Sequence, residues 1–309
     1  MSIIIICPNN NPEPWLTALT SIGLNIDVQI WPSDKPKSDI TFALCWQHPE
    51  GILNDYPNLQ CICSMGAGVD HLFKDRQLPT NVPIVRLVDP AMNQSMFEYI
   101  SSAAFFYLRN IDLYQTQQLK KQWLQHPSKS VSKTTIGIMG LGQIGNFCAI
   151  KLSKLGFAVK GWSKTSKTID GVNTYSGNEQ LTEFATDISI LVCLLPLTKE
   201  LKGVLNLKLF QSLTKGSCLI NVARGEHLVE SDLLTVLSSK HLDSAFLDVF
   251  IEEPLPQEHP FWSQSNIQIT PHCSSVTEPQ SVAEQIINNY QLVKASKKLI
   301  NLVDINKGY

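Results

Sequence analysis

Polar side chains suited to carbonyl reduction occur in three short segments in the second half of the chain. The segments are residues 221–225, 247–256 and 269–272, and in each the polar residues come where an apolar run stops. The carboxyl ends of parallel strands line the ligand crevice of an open sheet, so these segments are predicted to lie close together. They define a candidate catalytic centre.

The residue types in these segments suit proton transfer to a carbonyl oxygen. Arg224 has a planar guanidinium that can hold a carboxylate or polarise a carbonyl. His272, as an imidazolium, can donate a proton to a forming alkoxide. A carboxylate behind the ring, from Asp248 or Glu253, would fix its tautomer and favour its charged form. Each residue alone has an ordinary structural explanation as an ion pair, a loop charge or a buried histidine. Their order behind a nucleotide-binding pattern favours the catalytic interpretation.

A glycine-rich turn lies between an apolar run and a helical pattern. Gly140 permits a tight turn, Gly142 lets the backbone approach a pyrophosphate, and Gly145 allows the helix to pack closely. The helix N-terminus adds partial positive charge. In this strand–turn–helix context the pattern predicts dinucleotide binding, and an ordinary glycine-rich turn is the alternative. The candidate residues are Gly140, Leu141, Gly142, Gln143, Ile144 and Gly145.

The residues after the second strand of this pattern indicate which dinucleotide is bound. An NAD site usually places Asp or Glu about 20 residues after the glycines, whereas here no carboxylate occurs until Asp170. The hydroxyl of Ser163 and the ammonium groups of Lys164 and Lys167 suit a 2′-phosphate. A solvated polar loop is the structural alternative. NADPH is therefore the expected cofactor, with NADH as the second choice, and Trp162, Ser163 and Lys164 are candidate contacts.

Short apolar runs alternate with helical or loop segments along the chain, which predicts an α/β fold with parallel sheets. The strands predicted in the first series are residues 3–7, 27–31, 41–46, 61–64 and 84–87. Those in the second series are residues 135–139, 158–162, 188–194, 217–222, 244–249 and 267–269. Helices are predicted at residues 14–22, after the glycine-rich turn, at 93–118 as one long helix, and from 278 to about 298. Two α/β domains are expected.

Composition excludes several classes of function. The 309 residues carry 25 Lys and Arg against 27 Asp and Glu, so a nucleic acid partner is not expected. No apolar run is long enough for a membrane span, and the start resembles a buried strand, so a cytoplasmic protein is expected. The eight Cys include no CxxC pair and the seven His are dispersed, so no disulfide framework or metal site is predicted. Cys61 and Cys63 are expected to be buried thiols on one face of a strand.

The complete set of motifs resembles the D-isomer-specific 2-hydroxyacid dehydrogenases. The resemblance rests on residues 140–145, 194–198, 221–225, 248–254 and 271–272 and covers essentially the whole chain. It implies two Rossmann-like or flavodoxin-like domains with the active site in the interdomain cleft. The implied substrate-binding domain is discontinuous, comprising residues 1–98 plus 279–309, and the dinucleotide-binding domain comprises residues 99–278. The resemblance also implies a homodimer formed largely through the dinucleotide domains.

Roles can be carried over from the family to individual residues. Arg224 would bind the substrate, His272 would be the acid and base, and Glu253 would support His272. Cofactor contacts would also come from Leu195, Pro196, Ala223 and Asp248.

The same resemblance implies roles for the turn that contains Ala67 and Gly68 and for Trp46. On chemistry alone, the amides of Ala67 and Gly68 could cradle a carboxylate or belong to an ordinary tight turn. The resemblance favours contact with the substrate carboxylate. Trp46 would lie near the pocket and limit substrate size.

Within the family the chain most resembles the glyoxylate/hydroxypyruvate reductases. This likeness rests on residues 46, 65–70, 98–99, 162–164, 303–304 and 308–309. It implies NADPH-dependent reduction of glyoxylate to glycolate and of hydroxypyruvate to D-glycerate. The chain departs from the family pattern in lacking an acidic residue after the second strand and in having Cys273 where Ala or Gly is expected. The alternatives are a D-2-hydroxyacid dehydrogenase for lactate, phosphoglycerate or a branched acid, and a non-catalytic nucleotide-sensing protein.

Overall fold

The computed structural model describes residues 2–22 and 26–305, which divide into two compact units. The first unit contains the described residues up to Ala91 and from Val276 onward, and the second unit is Met92–Ser275. Residues 308 and 309, which contributed to the family resemblance, lie outside the described residues. Within the described ranges, no helix combines the length and the apolar character needed to cross a bilayer.

The bounds of the regular elements follow the predicted alternation of strands and helices. The strands are β1 (Ser2–Ile6), β2 (Asp27–Ile30), β3 (Ile40–Cys45), β4 (Cys61–Ser64), β5 (Ile84–Val85), β6 (Thr135–Met139), β7 (Ala158–Ser163), β8 (Asn173–Ser176), β9 (Ile190–Cys193), β10 (Ser217–Asn221), β11 (Leu242–Leu247) and β12 (Ile267–Ile269). The helices are α1 (Glu13–Thr20), α2 (Pro90–Leu108), α3 (Ile111–Leu119), α4 (Gln143–Lys154), α5 (Leu181–Ala185), α6 (Leu207–Ser212), α7 (Glu230–Ser238) and α8 (Pro279–Lys294).

The first unit is built on a parallel sheet with the strand order β2-β1-β3-β4-β5. Strand β1 lies between β2 and β3 and is buried along its whole length, which suits its run of isoleucines. Ile3 and Ile5 pack on one face in the same cluster as Trp15 of α1 and Ile286 of α8. The same cluster contains Cys61 and Cys63, both free thiols without solvent exposure. The prediction that these two cysteines share a buried face is confirmed.

The second unit is built on a seven-stranded parallel sheet with the order β12-β11-β10-β9-β6-β7-β8. Successive strands lie on one side of β6 for β7 and β8 and on its other side for β9 to β12. The carboxyl ends of β6 and β9 therefore flank the topological switch point, where open α/β sheets bind ligands. This arrangement confirms the predicted fold class, an α/β chain with two parallel sheets.

The unit boundaries differ by a few residues from the expected divisions after residues 98 and 278. The first division comes at Ala91, at the start of α2. Met96 and Ile100 of this helix pack in one cluster with Ile136 and Ile138 of β6, which ties nearly all of α2 to the second unit.

Two local predictions need correction. The helix predicted at residues 93–118 is interrupted at Asn110, whose φ of 54° is left-handed, so the chain forms α2 and α3 instead. The Asn110 side chain donates to the Pro127 carbonyl at 2.9 Å, which helps to hold this break. Strand β8 was not predicted because its residues are polar and half-buried at the edge of the sheet.

Candidate active site

The glycine-rich turn after β6 has little space at its first and last glycines. Gly140 has a φ of 104°, and a Cβ there would lie 2.6 Å from the Leu194 carbonyl oxygen. A Cβ on Gly145 would lie 1.8 Å from the carbonyl oxygen of Gly140. The turn and the first turn of α4 can therefore pack this closely only because both positions are glycine.

Gly142, the middle glycine, has open space around it. A Cβ built at this residue meets no atom within 4 Å. Gly142 immediately precedes α4, whose first residue, Gln143, is exposed. The amides at the start of a helix carry partial positive charge and attract phosphate oxygens. The open backbone next to a free helix N-terminus therefore fits the pyrophosphate of a dinucleotide. The side chain of Leu141 is buried against Gly161, so its contact with a cofactor stays a prediction for the backbone alone.

At the end of β7 the side chains separate into buried and exposed groups. Trp162 is buried in the core, and its indole N–H donates to the Gly177 carbonyl at 2.8 Å. The Ser163 hydroxyl donates to the Thr165 carbonyl at 2.8 Å. Lys164 pairs with Glu200 at 2.7 Å, with both side chains about 70% exposed. An exposed pair of this kind contributes little to stability, so an incoming phosphate can compete for the ammonium group. The side chain of Trp162 is occupied by the core, and its contact with a cofactor stays a prediction.

The segment after β9 is joined to the segment after β10 through a buried histidine. His227 bonds to the Pro196 carbonyl through Nε2 at 3.3 Å, next to the buried Leu195. Burial lowers the pKa of His227, so the neutral ring is favoured. His227 was not among the predicted site residues, although it lies only three residues after Arg224.

A buried asparagine shapes the backbone at Arg224. Asn221 accepts a bond from the Ala223 amide at 3.3 Å and donates to the Arg224 carbonyl at 3.0 Å. The Arg224 Nη1 donates to the Ala223 carbonyl at 2.6 Å. A Cβ on Gly225 would lie 2.0 Å from the backbone of Phe250, so the two loops touch at their main chains. This contact brings the Arg224 segment against the segment that carries Glu253.

His272 and Glu253 form a hydrogen-bonded pair. The His272 Nδ1 lies 2.8 Å from the Glu253 Oε2, and the side chains are 36% and 29% exposed. His272 has a left-handed φ of 51°, and its amide donates to the Asp248 carbonyl at 2.9 Å. Since a carboxylate only accepts, Nδ1 carries a proton and Nε2 is the ring nitrogen available for chemistry. Of the two carboxylates left open by the sequence, the structure pairs Glu253 with His272.

The electrostatics of the pair favour an ionised glutamate. Burial alone raises the pKa of Glu253, but the His272 bond and the Phe250 amide at 2.9 Å outweigh it, and the net pKa is lowered. The charges of His272 and Arg224 act in the same direction. Glu253 is therefore an anion hydrogen-bonded to the His272 ring.

Asp248 holds together the loop that presents His272. Its carboxylate is fully buried and accepts bonds from the Thr270 hydroxyl at 2.6 Å and from the Cys273 and Ser274 amides at 2.9 Å. Thr270 also bonds to the Tyr99 hydroxyl at 2.7 Å. Contact of Asp248 with a cofactor stays a prediction, because these bonds already engage both carboxylate oxygens. The role of Thr270 was not predicted, although it lies in the segment that was singled out.

In the first unit, the residues expected to contact the substrate follow neighbouring strands. Trp46 comes directly after β3, and the turn with Ala67 and Gly68 follows β4. Cys45 pairs with Ser64 across these strands, so both segments leave the same edge of the sheet. Ala67 and Gly68 are half-buried, whereas Gly66 is buried against the Trp46 ring.

Comparison with protein families identifies the class of protein. The family model described as "D-isomer specific 2-hydroxyacid dehydrogenase, NAD binding domain" matches residues 102–274, which is more than half of the chain. The chain belongs to this family, as the motif resemblance predicted.

Two relatives show which members of the family this chain resembles. A glyoxylate/hydroxypyruvate reductase A from Yersinia enterocolitica is 39% identical, and one from Serratia proteamaculans is 40% identical. Each alignment covers 100% of this chain and 100% of the relative.

Solved structures agree with the same fold. A D-isomer-specific 2-hydroxyacid dehydrogenase from Xanthobacter autotrophicus in complex with NADPH and MES is 34% identical, with a TM-score of 0.94 and coverage of 100% and 99% of the two chains. An NADPH-dependent glyoxylate/hydroxypyruvate reductase from Sinorhizobium meliloti in complex with NADP and sulfate is 32% identical, with a TM-score of 0.93 and full coverage of both chains.

Proposed function

We propose that this protein is an NADPH-dependent reductase of small 2-oxo acids, converting glyoxylate to glycolate and hydroxypyruvate to D-glycerate. The observation that carries the proposal is the half-exposed pair of His272 with Glu253, in the same unit as an open glycine-rich turn. The names of the full-length relatives support the same substrates and cofactor.

The proposed mechanism assigns one task to each side chain of the cluster. When bound, NADPH supplies the hydride that is added to the carbonyl carbon of the 2-oxo acid. His272 donates the Nε2 proton to the carbonyl oxygen, and Glu253 stabilises the imidazolium before the transfer. Arg224 binds the carboxylate or polarises the carbonyl with its planar fork. The amides of Ala67 and Gly68 bind the substrate carboxylate, and Trp46 limits the size of the substrate.

The groups that hold the cofactor are proposed from the edge of the sheet in the second unit. The turn from Gly140 to Gly145 receives the pyrophosphate, because Gly142 leaves its backbone open. Ser163 and Lys164 bind the 2′-phosphate, since no carboxylate occurs between them and Asp170. Apolar contact comes from Leu195 and Pro196, with Ala223 next to them.

A steady-state assay of nicotinamide absorbance tests the proposal. The assay crosses NADPH and NADH with glyoxylate, hydroxypyruvate, pyruvate and 3-phosphohydroxypyruvate. Fast oxidation of NADPH with glyoxylate and hydroxypyruvate is the expected result. Faster reduction of another acid would assign the chain to a different dehydrogenase of the family. Binding of NADPH without reduction of any acid would favour the nucleotide-sensing alternative.

A double substitution tests the cofactor assignment. Ser163→Asp with Lys164→Ala places a carboxylate at the strand end and removes an ammonium group. We expect the ratio of kcat/KM for NADPH over NADH to fall by about a hundredfold, because a 2′-phosphate would lose a cation and meet an anion. The measurement is the same assay at saturating glyoxylate. A double variant with unchanged NADPH preference would contradict the role of this loop.

The proposal includes a cytoplasmic homodimer formed through the second unit. Leu119, Trp123 and Leu124 are large apolar residues with side chains mostly or wholly exposed, which supports their burial against a second copy. The free thiols of all eight cysteines suit a reducing compartment. Light scattering of the wild type and of a Trp123→Ser, Leu124→Ser variant tests the dimer. A wild-type protein that elutes as a monomer would contradict it.

A further inference from the structure

The turn after β4 is held by a buried serine. Ser64 has no solvent exposure, and its Oγ accepts a bond from the Gly66 amide at 3.2 Å and donates to the Gly68 carbonyl at 2.7 Å. These two bonds define the backbone on both sides of Ala67. The Ser64 hydroxyl therefore holds the peptides that flank the Ala67 and Gly68 amides, together with the Leu87 amide, which donates to the Gly66 carbonyl at 3.1 Å.

A buried histidine holds this hydroxyl in place. The Nε2 of His71 lies 2.9 Å from the Ser64 Oγ, and the Gln47 amide donates to the His71 Nδ1 at 3.3 Å. Because an amide can only donate, Nδ1 is an acceptor and the proton of the neutral ring is on Nε2. Ser64 gives its own proton to Gly68, so it must accept from His71. The two ends of the ring thus require the same tautomer.

The same imidazole supports the aromatic residue of the site. The rings of Trp46 and His71 lie 4.4 Å apart between centroids, with an interplanar angle of 44°. The Trp46 ring also lies close to Gly66, where a Cβ would be 3.1 Å from its Cζ3 atom. His71 therefore contacts both the ring after β3 and, through Ser64, the turn after β4.

We propose that His71 is a positioning residue that sets substrate preference, by holding the turn that carries the Ala67 and Gly68 amides through Ser64 and the Trp46 ring through a tilted ring contact. The inference rests on the proposed function, in which these amides bind the substrate carboxylate and Trp46 limits its size. His71 itself takes no part in hydride or proton transfer. Its loss affects binding of the acid and leaves both cofactor binding and chemistry intact.

Two substitutions at His71 distinguish the effect of its hydrogen bonds from the effect of its side-chain volume. His71→Leu keeps a side chain in the space but removes both hydrogen bonds, and we expect the KM for glyoxylate to rise by about tenfold. The KM for hydroxypyruvate should rise less, because a freed Trp46 gives the larger acid more room. His71→Gln retains an N–H donor for Ser64 and should restore most of the loss. The kcat and the NADPH dissociation constant, measured by cofactor fluorescence, should stay within about twofold in both variants.

Ser64→Ala and a matched control complete the test. Ser64→Ala should reproduce the KM increase, and the double variant with His71→Leu should be no worse than either, because both act through one network. His48→Gln alters another buried imidazole of the same unit, one that bonds to Asp75. This control should leave the ratio of kcat/KM for the two acids unchanged.

The outcomes distinguish the inference from the proposed function. If the wild type reduces none of the 2-oxo acids, the proposed function fails and the inference fails with it. If the wild type is active and His71→Leu has unchanged KM values, only the role of His71 is overturned. An equal change in the His48→Gln control would also overturn it, since general loosening of the unit would then be the cause. If His71→Leu does not fold, Ser64→Ala and His71→Gln measure the same network.

Discussion

A histidine hydrogen-bonded to a carboxylate occurs in each of the two units, and the pairs His272–Glu253 and His48–Asp75 are similar in length but differ in solvent exposure. His272 and Glu253 of the second unit are 2.8 Å apart and about one third exposed. His48 and Asp75 of the first unit are 3.1 Å apart, with exposures of 0% and 1%. Burial lowers the pKa of His48, so its neutral form is favoured. A neutral imidazole is a very weak acid, and an enclosed ring has no access to a substrate.

The carboxylates differ in the same way. Asp75 also accepts bonds from the Gly51 and Gln77 amides, at 3.1 and 2.8 Å, and so closes a loop. Glu253 accepts one amide and lies in the field of Arg224. A His–carboxylate distance therefore does not identify a catalytic pair. Two features distinguish the His272 pair from the His48 pair. The His272 ring is partly exposed, and the nearby Arg224 carries a charge that suits an anionic substrate.

The largest expected effect separates the two histidines by function. His272→Ala should lower kcat by about a thousandfold or more while NADPH binding stays near normal, because the proton donor is removed. The matched His48→Ala should retain turnover per folded molecule but unfold more readily, because Asp75 loses a buried partner. Assays combined with thermal unfolding measure both. Normal turnover in the His272 variant would overturn the mechanism.

Removal of the Arg224 side chain tests whether this residue binds the substrate carboxylate. Arg224→Ala should reduce kcat/KM for glyoxylate by about a hundredfold, mostly through a higher KM, because the charged bond to the carboxylate is lost. Titration with NADPH should give an unchanged dissociation constant. Unchanged kinetics would show that the substrate carboxylate is held elsewhere.

A smaller effect is expected when the carboxylates are made neutral. Glu253→Gln should lower kcat by about ten- to a hundredfold, because the imidazolium loses its counter-charge. Asp75→Asn should leave kcat unchanged and lower the melting temperature. A kcat for Glu253→Gln equal to that of the wild type would contradict the pairing in solution.

The smallest effect concerns stability at moderately acidic pH. Burial lowers the pKa of His48 and His227 below the ordinary value of 6.5, so the unfolded chain binds more protons than the folded one. The free energy of unfolding is therefore full above pH 6.5 and falls as the pH drops through the lowered values. The lowered pKa of Glu253 adds a loss below its ordinary value of 4.5. Urea unfolding at several pH values should show a shallower slope below pH 6.5 for His48→Gln.

Local sequence patterns determined most of the fold and several parts of the site. Strands β6 and β12 were predicted with their observed bounds, and both are short apolar runs next to a clear turn signal. The glycine-rich turn was recognisable because only glycine permits such close contacts. Arg224, Glu253 and His272 were predicted as catalytic candidates because polar residues at strand ends are a local signal, and the structure pairs Glu253 with His272. Membership of the dehydrogenase family followed from the order of these motifs.

Tertiary structure decided which of these groups are partners. Local sequence could not choose between Asp248 and Glu253, because both lie in one strand-end segment, and only the family resemblance favoured Glu253. Packing turns Asp248 inward to loop amides and Glu253 to His272. Local sequence could not predict the break at Asn110 either, since the helical pattern continues through it. His71 carried no local signal, because its importance comes from two strand ends that are far apart in sequence and adjacent in the sheet. The sequence determines which residues lie at the ends of strands. The long-range pairing of those strands determines which of these residues contact one another.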